Sequence, residues 1–422
     1  MAATDIDAEI DQNFKYNFRV NVLDGTFFWF GASFFATRTI APLFLSYLTD
    51  NTFAFGLLSM IASTGWLLPQ LFTANWVQRV PVKKVIPVNH GFFWERLPVL
   101  LLPLAALATL WSSGLAITLF LLFIGWHVIG AGIIAVGWQE LIAKIFPVEW
   151  RGRFFGISNF VGNGTGILGA TAAAWMLDTI AYPYNFMIAF GMGGLFIFLS
   201  WVFLGMTREP ADEIEETTRD NKSYWRSLPR ILKTDKNYRR YLFSQVLSSV
   251  GYMAVGFLTV YAIQKWQVSA ATVSLYTTSM LVGNTVSNPL FGWMGDKLGH
   301  KKVILISTLL TTAGIGVALV APSPAWFYLV FGLLGANQAG FIISGINIVF
   351  EFAEKKIRPT YIGLTNSIIG LVAAIAPLIG SAIVENVSYQ SMFTISVLFG
   401  LGSVIFLLLF VKEPRRLNLE IS

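Results

Sequence analysis

Apolar residues gather along the chain into twelve long runs separated by short polar stretches. They lie near residues 22–48, 53–78, 85–110, 115–143, 153–178, 184–206, 240–265, 271–294, 302–321, 325–353, 360–384 and 390–411. About 20 apolar residues in a helix cross a bilayer core of ~30 Å, so each run predicts a spanning α-helix. The one long polar stretch, 207–239, separates six runs from six. Its density of charge predicts a solvated linker with a short amphipathic helix near 224–232. Residues 1–20 carry Asp5, Asp7, Glu9 and Asp11 and lack the apolar segment of a cleavable signal peptide. The expected architecture is an all-α membrane protein of twelve transmembrane helices, with an N-terminal half at 1–206, the linker at 207–239 and a C-terminal half at 240–422.

Charge fixes an expected orientation. Of 29 lysines and arginines, only Lys265 lies in the loops expected outside, while Arg38 and Arg96 fall within runs. All the others are in the N-terminus, the C-terminus and the alternate loops, the positive-inside pattern that places both termini in the cytoplasm. The net charge of +6 therefore reflects loop topology and predicts no nucleic-acid partner. With 55% hydrophobic and 12% charged residues a soluble domain is excluded, and with no cysteine so are disulfides and thiolate chemistry. Neither a phosphate-binding Gly-Lys-Ser/Thr loop nor an HExxH spacing is present, so the chain is read as no enzyme, with no cofactor and no metal site.

The halves echo one another. Residues 70–85 lie over 288–303 without a gap and share a Lys-Lys-Val end, 151–159 lie over 358–366, and Arg208-Glu209-Pro210 echoes Lys412-Glu413-Pro414. The sharpest stretch is Gly292-Trp-Met-Gly-Asp-Lys-Leu-Gly-His-Lys-Lys302, read as an eleven-residue charged hinge between two spans. Gly292, Asp296, Lys297, Gly299, Lys301 and Lys302 resemble the signature loop of the major facilitator superfamily, with His300 where another cation is common. The first-half copy departs from that pattern, with Ala74 and Gln78 at the Gly and Asp positions. The resemblance implies two six-helix bundles related by an axis along the membrane normal, and alternating access about a central cavity lined by runs 1, 4, 7 and 10. In that scheme Gly292, Asp296, Lys297, Gly299, Lys301 and Arg358 form a conformational gate.

An ionisable group at membrane depth costs ~2.5 to 3.5 kcal/mol on the insertion scale and needs a partner or a wet cavity. Arg38, Glu95, Arg96 and His127 fall in one mid-membrane layer, where an Arg38–Glu95 pair beside His127 would satisfy them. Glu95 with Arg96 as a buried structural pair is the alternative. Asp24 and Glu140 are placed near inner helix ends. These residues divide into candidate substrate-binding groups (Arg38, His127, Tyr252, Asn284, Asn337, Gln338) and candidate proton-coupling groups (Asp24, Glu95, Glu140, His127). Interhelical hydrogen bonding is the competing reading for the uncharged ones. The aromatic group from Phe27 to Phe35 is expected to line the cavity.

Together these features predict a secondary transporter in the bacterial inner membrane, a monomer using a proton as coupling ion and exporting an amphipathic, drug-like or lipid-like molecule. Its expected partners are that small-molecule substrate and the lipid bilayer. Uptake of a sugar or organic anion is the alternative within transport, and a non-transporting assembly factor or receptor the alternative outside it.

Overall fold

The computed structural model describes residues 3–78, 80–210, 231–353 and 358–414. The linker helix expected near 224–232 lies mainly outside them. The described residues form helices throughout, and ten helical stretches among them are long and apolar enough to cross a membrane. The chain is thus an all-α, multi-spanning membrane protein. Two expected spans are absent from those ten. They correspond to α7 (Val148–Thr179) and α11 (Ala270–Leu298), which are 32 and 29 residues long. Both are long enough, but Arg151, Arg153 and Asp178 in one and a run of Thr, Ser and Asn in the other dilute their hydropathy.

Packing divides the chain into two compact units. Unit 1 comprises Met1–Asp50, Thr64–Glu215 and Val268–Thr278, and unit 2 comprises Asn51–Ser63, Glu216–Gln267 and Ser279–Ser422. Each unit therefore includes the first part of the second helix of the other sequence half.

In unit 1, α1 (Ala3–Ala32) ends in a 3-10 turn at Ser33–Phe35, and the helix resumes as α2 (Ile40–Ser46). The break has a local cause. A proline ring clashes with the carbonyl four residues back, so Pro42 forbids a continuous helix through Arg38. The Ser33 hydroxyl also donates to the Phe30 carbonyl at 2.6 Å, competing with the backbone ladder. Pro69 acts in the same way on the second helix, which is interrupted between α3 (Thr52–Thr64) and α4 (Leu68–Gln78). In the third, π-helical turns at Ile86–His90 and Phe92–Arg96 precede α5 (Leu97–Leu107). The Leu97 amide bonds the Phe92 carbonyl, five residues back; this wider turn makes room for Pro98. The Trp94 carbonyl then presses on α6 (Ser113–Ile145) at Gly130, where a Cβ would have no space.

The aromatic group of α1 is a packing device rather than the expected cavity lining. Phe27 stacks on Phe203 at 5.3 Å, Phe30 meets Phe196 at 4.4 Å, and both partners belong to α8 (Tyr184–Gly205). Phe34 and Phe35 are buried. In a bilayer such van der Waals contact, rather than escape from water, holds helices together.

Unit 2 repeats the plan of the first helix. Helix α9 (Lys236–Gly251) passes through a 3-10 segment, Tyr252–Phe257, into α10 (Leu258–Trp266). Beyond α11 follow α12 (His300–Val320), α13 (Trp326–Phe352), α14 (Arg358–Asn386) and α15 (Tyr389–Phe410). The stretch 292–302 proves to be helix on both sides of Gly299 rather than an eleven-residue hinge. Gly299 alone makes the turn, with φ +93°, a conformation that needs glycine. Gly292 is mid-helix, and a Cβ there would meet nothing.

Candidate functional site

The buried charges of unit 1 collect at the third helix. Glu95 and Arg96, each 3% exposed, form an ion pair with each other. The Arg96 guanidinium lies over the Phe28 ring at 5.5 Å. From α6, His127 Nδ1 is 2.9 Å from the Glu95 carbonyl oxygen, and Phe35 meets the imidazole edge-on at 5.4 Å. From α1, Asp24 accepts a hydrogen bond from the Ser200 hydroxyl of α8 at 2.6 Å. Arg96 acts electrostatically on both Asp24 and His127. Three helices thus deliver two carboxylates, one guanidinium and one imidazole to one buried layer, and a fourth adds the Ser200 hydroxyl.

This layer differs from the expected one in two ways. The guanidinium facing Glu95 is its own neighbour, because the π turn keeps consecutive side chains inside the bundle. Asp24 is not near a helix end: the spanning stretch begins at Glu9 and continues to Ser46, so Asp24, 6% exposed, is deep within it. Glu140, as expected, lies near the end of α6, and it is exposed there. Arg38 sits in the α1–α2 break, half-buried. Beside it the Thr39 and Thr277 hydroxyls hydrogen-bond, and the Ser274 hydroxyl donates to the Ala170 carbonyl at 2.8 Å. Ser200 carried no signal, since one serine in an apolar run is common.

The polar groups of unit 2 are uncharged. Asn337 of α13 donates to the Ser307 carbonyl of α12 at 2.9 Å. Asn284 of α11 accepts from Asn288 at 2.8 Å. Gln338 is half-buried beside Asn337, and Tyr252 is half-buried at the first residue of the 3-10 segment.

Both units carry the same clamp at their basic ends. In unit 1, the Asn17 side chain donates to the Arg208 carbonyl at 2.8 Å and accepts its amide at 2.9 Å. Glu209 then accepts the amides of Lys83 and Lys84 at 2.8 and 2.7 Å and pairs with Lys144 at 2.8 Å. Burial pulls the Lys84 ammonium below the ordinary lysine range, with Glu209 opposing. In unit 2, Asn237 makes the same two bonds to Lys412, at 3.1 and 2.9 Å. There Lys301 donates to the Val411 carbonyl at 2.6 Å. A Cβ on Gly299 would lie 2.7 Å from the Glu413 carboxylate. The echo of Arg-Glu-Pro in Lys-Glu-Pro is thus a structural repeat, and the Asn17–Asn237 correspondence is its unread partner.

Among the gate residues, Asp296 and Lys297 are exposed in the last turn of α11. A Cβ on Gly295 would lie 2.8 Å from the His300 ring, and His300 Nδ1 is 3.0 Å from the Ser344 hydroxyl. His300 is therefore an internal contact rather than a further loop cation. Arg358 opens α14, and its side chain lies outside the described residues.

Residues 241–421 match the model of the Major Facilitator Superfamily. The chain is 32% identical over 147 residues to Citrate exporter 1 of Yarrowia lipolytica, a match over 34% of this chain and 22% of that protein. With the Tetracenomycin C resistance and export protein of Streptomyces glaucescens it shares 27% over 155 residues, or 36% of this chain and 28% of the relative. The chain thus matches less than a third of the length of these relatives. Among solved structures, the nucleoside transporter NupG superposes with TM-score 0.69 at 14% identity, over 93% of this chain and 98% of that one. A D-xylose-proton symporter superposes with TM-score 0.67 at 17% identity, over 94% and 98%. These superpositions show the fold.

Proposed function

We propose that this chain, whose residues 241–421 match the Major Facilitator Superfamily model, is a secondary transporter of that superfamily carrying a small organic solute by alternating access, with proton-coupled export as its direction. In this reading it crosses the bacterial inner membrane twelve times as a monomer, α7 and α11 supplying the two more polar spans, with both termini in the cytoplasm and the substrate site between two six-helix bundles.

The observation that carries the proposal is the charge count of the buried layer. Asp24 and Glu95 offer two negative charges and Arg96 one positive. An uncompensated charge at this depth is expensive, so the layer is neutral when it holds one proton. Losing that proton leaves one net charge that a conformational change must solvate. This is the property a proton-coupled carrier requires.

The substrate groups proposed are Arg38 in the break of the first helix and Tyr252 in that of the seventh, with Asn284 and Gln338. Interrupted helices at corresponding places in two repeats are where transporters place their sites, since freed backbone groups and loop side chains meet the solute there. Several matched relatives are named as exporters or efflux pumps, among them Citrate exporter 1 and the Tetracenomycin C resistance and export protein, which supports efflux of amphipathic organic compounds.

The test is uptake into inverted vesicles of a panel of amphipathic dyes and organic acids, driven by an imposed pH gradient. Wild-type protein is expected to accumulate one class only when the gradient is present, and Asp24→Asn to lose the gradient dependence while retaining passive exchange. Unchanged gradient-driven uptake in Asp24→Asn would remove the proton role. No uptake of any class by wild type would remove the transport reading.

A further inference from the structure

The interruption of the second helix leaves a groove on unit 1 that the transport reading does not use. Its volume is about 500 Å³, and Thr64, Gly65, Leu68, Phe72, Ile129 and Ile133 form its walls. Local sequence accounts for it. Pro69 frees the Gly65 carbonyl from the helix ladder, and Gly132 of α6 lets the backbone at 65–66 approach, a Cβ there lying 2.9 Å from the Trp66 carbonyl oxygen. Beyond the break, Leu68 and Phe72 of α4 line the groove together with Ile129 and Ile133 of α6. The mouth is continuous with a belt of exposed apolar side chains: Phe72 at 75%, Leu122 at 55% and Ile129 at 43%. Inside a bilayer such a belt faces acyl chains.

Three dimensions agree on one occupant. The groove extends from the break at Thr64 and Gly65 to Thr73 on α4, beside Ile129 and Ile133 in the middle part of α6, and so lies within one half of a ~30 Å hydrocarbon core. It runs from near the middle of the second and fourth spans towards the basic end of unit 1, and so along a single leaflet. Its volume holds about 17 groups the size of a water or methylene at ~30 Å³ each, close to one long acyl chain. Its lining is almost wholly carbon. The Thr73 hydroxyl is turned to the Gln70 carbonyl, and so it is not waiting for a polar ligand. An empty groove of this size would forfeit the dispersion contacts of its walls.

We propose that this groove is a structural lipid site, holding one acyl chain of a phospholipid from the leaflet on the basic side. The chain wedges the break open at Thr64, the residue at which the second helix passes from unit 2 into unit 1. This site does not rest on the transport proposal and stands or falls separately from it.

The experiment uses the wild-type chain in vesicles of phosphatidylethanolamine and phosphatidylglycerol containing a phospholipid with a photoactivatable diazirine in its acyl chain. After irradiation, labelled peptides are mapped by mass spectrometry. Labelling is expected to be several-fold denser at 64–73 and 129–133 than at Leu398, Ile405 and Leu409 of α15, which are comparably exposed at 62%, 54% and 67%. Ile133→Phe, which fills the groove, is expected to remove the excess at 64–73 and leave α15 unchanged. Even labelling over all exposed helices in wild type would overturn the site, whatever the variant does. Displacement of the label by an alkyl compound the vesicles transport, at a concentration that leaves α15 labelled, would make the groove a substrate site and overturn the lipid assignment.

Discussion

The polar interiors of the two units differ in kind. That of unit 1 is ionic, with Asp24, Glu95, Arg96 and His127 drawn from three helices. That of unit 2 is neutral among the described residues, with Asn284, Asn337, Ser307, Thr308, Thr311 and Thr312 buried on α11, α12 and α13. Yet the units share their scaffold: an interrupted first helix and an asparagine clamp on an Arg/Lys-Glu-Pro segment. The parts that bend and fasten recur in both units, and the buried ionic groups occur in one of them. An ionic layer changes its net charge when it gains or loses a proton; a neutral one cannot. The division therefore separates a unit with ionisable groups at membrane depth from one whose buried polar groups, among the described residues, are hydroxyls and amides.

The comparison breaks most visibly at Arg96. Arg96→Met leaves two buried carboxylates without their cation, and removing one member of a buried pair costs about 3–5 kcal/mol. A large fall in thermal midpoint in detergent is expected. Because neutral replacement of a whole pair is often tolerated, the double variant Glu95→Gln/Arg96→Met should recover most of that fall. A single variant as stable as wild type would mean that the layer is not held by its charges, and the contrast with unit 2 would lose its meaning.

The clamps sharpen the comparison at the basic ends. Glu209, its side chain 1% exposed, accepts two backbone amides and pairs with Lys144. Glu209→Gln keeps an acceptor but loses the charge, and hydrogen bonds to charged groups contribute about 1.5–3 kcal/mol. Hydrogen exchange at the amides of 83 and 84 should accelerate in this variant while that at 412 stays as in wild type. Acceleration at both would show that the two clamps are not independent.

Gly299 and Gly292 separate necessity from pattern within the signature stretch. Gly299 has φ +93° and no room for a Cβ beside Glu413; backbone held in a glycine-only region costs another residue about 1–3 kcal/mol. Gly292 is helical with open space around it, so Gly292→Ala should be neutral or stabilising by up to about 1 kcal/mol. Matched thermal melts of the two alanine variants check this, and equal losses would contradict the geometry.

That pair also shows what the sequence made legible. Glycine spacing marked the stretch as special, but spacing cannot distinguish a glycine needed for its φ from one that is simply present. The helical runs were readable because bilayer thickness imposes their length. The interruptions at Arg38 and Gly65 were not drawn from the prolines at 42 and 69, although a proline always acts on the carbonyl four residues before it. The ionic layer was half legible. Glu95, Arg96 and His127 stand out as charges at depth, whereas Asp24 was misplaced because the polar residues 3–21 concealed that its helix had already begun. Ser200 and the Asn17 clamp depend on contacts 176 and 191 residues apart in sequence, which no local pattern encodes.

The smallest effect is expected in unit 2, and it is the one that tests neutrality itself. Asn337 donates to a backbone carbonyl of the neighbouring helix, an interhelical bond of a kind contributing ~0.6 kcal/mol on average within membranes. Asn337→Ala should therefore shift the thermal midpoint by little. Because no charge changes, it should leave any pH dependence of stability as in wild type. Asn337→Asp asks the same site to hold a carboxylate. With no cation among the described hydrogen bonds and ion pairs of this seam, the aspartate is expected to take up a proton, so that the variant melts near wild type at acid pH and progressively lower as pH rises. A flat profile for Asn337→Asp would mean that unit 2 can solvate a charge at this depth, and the division between an ionic half and a neutral one would then be a matter of residue choice rather than of environment.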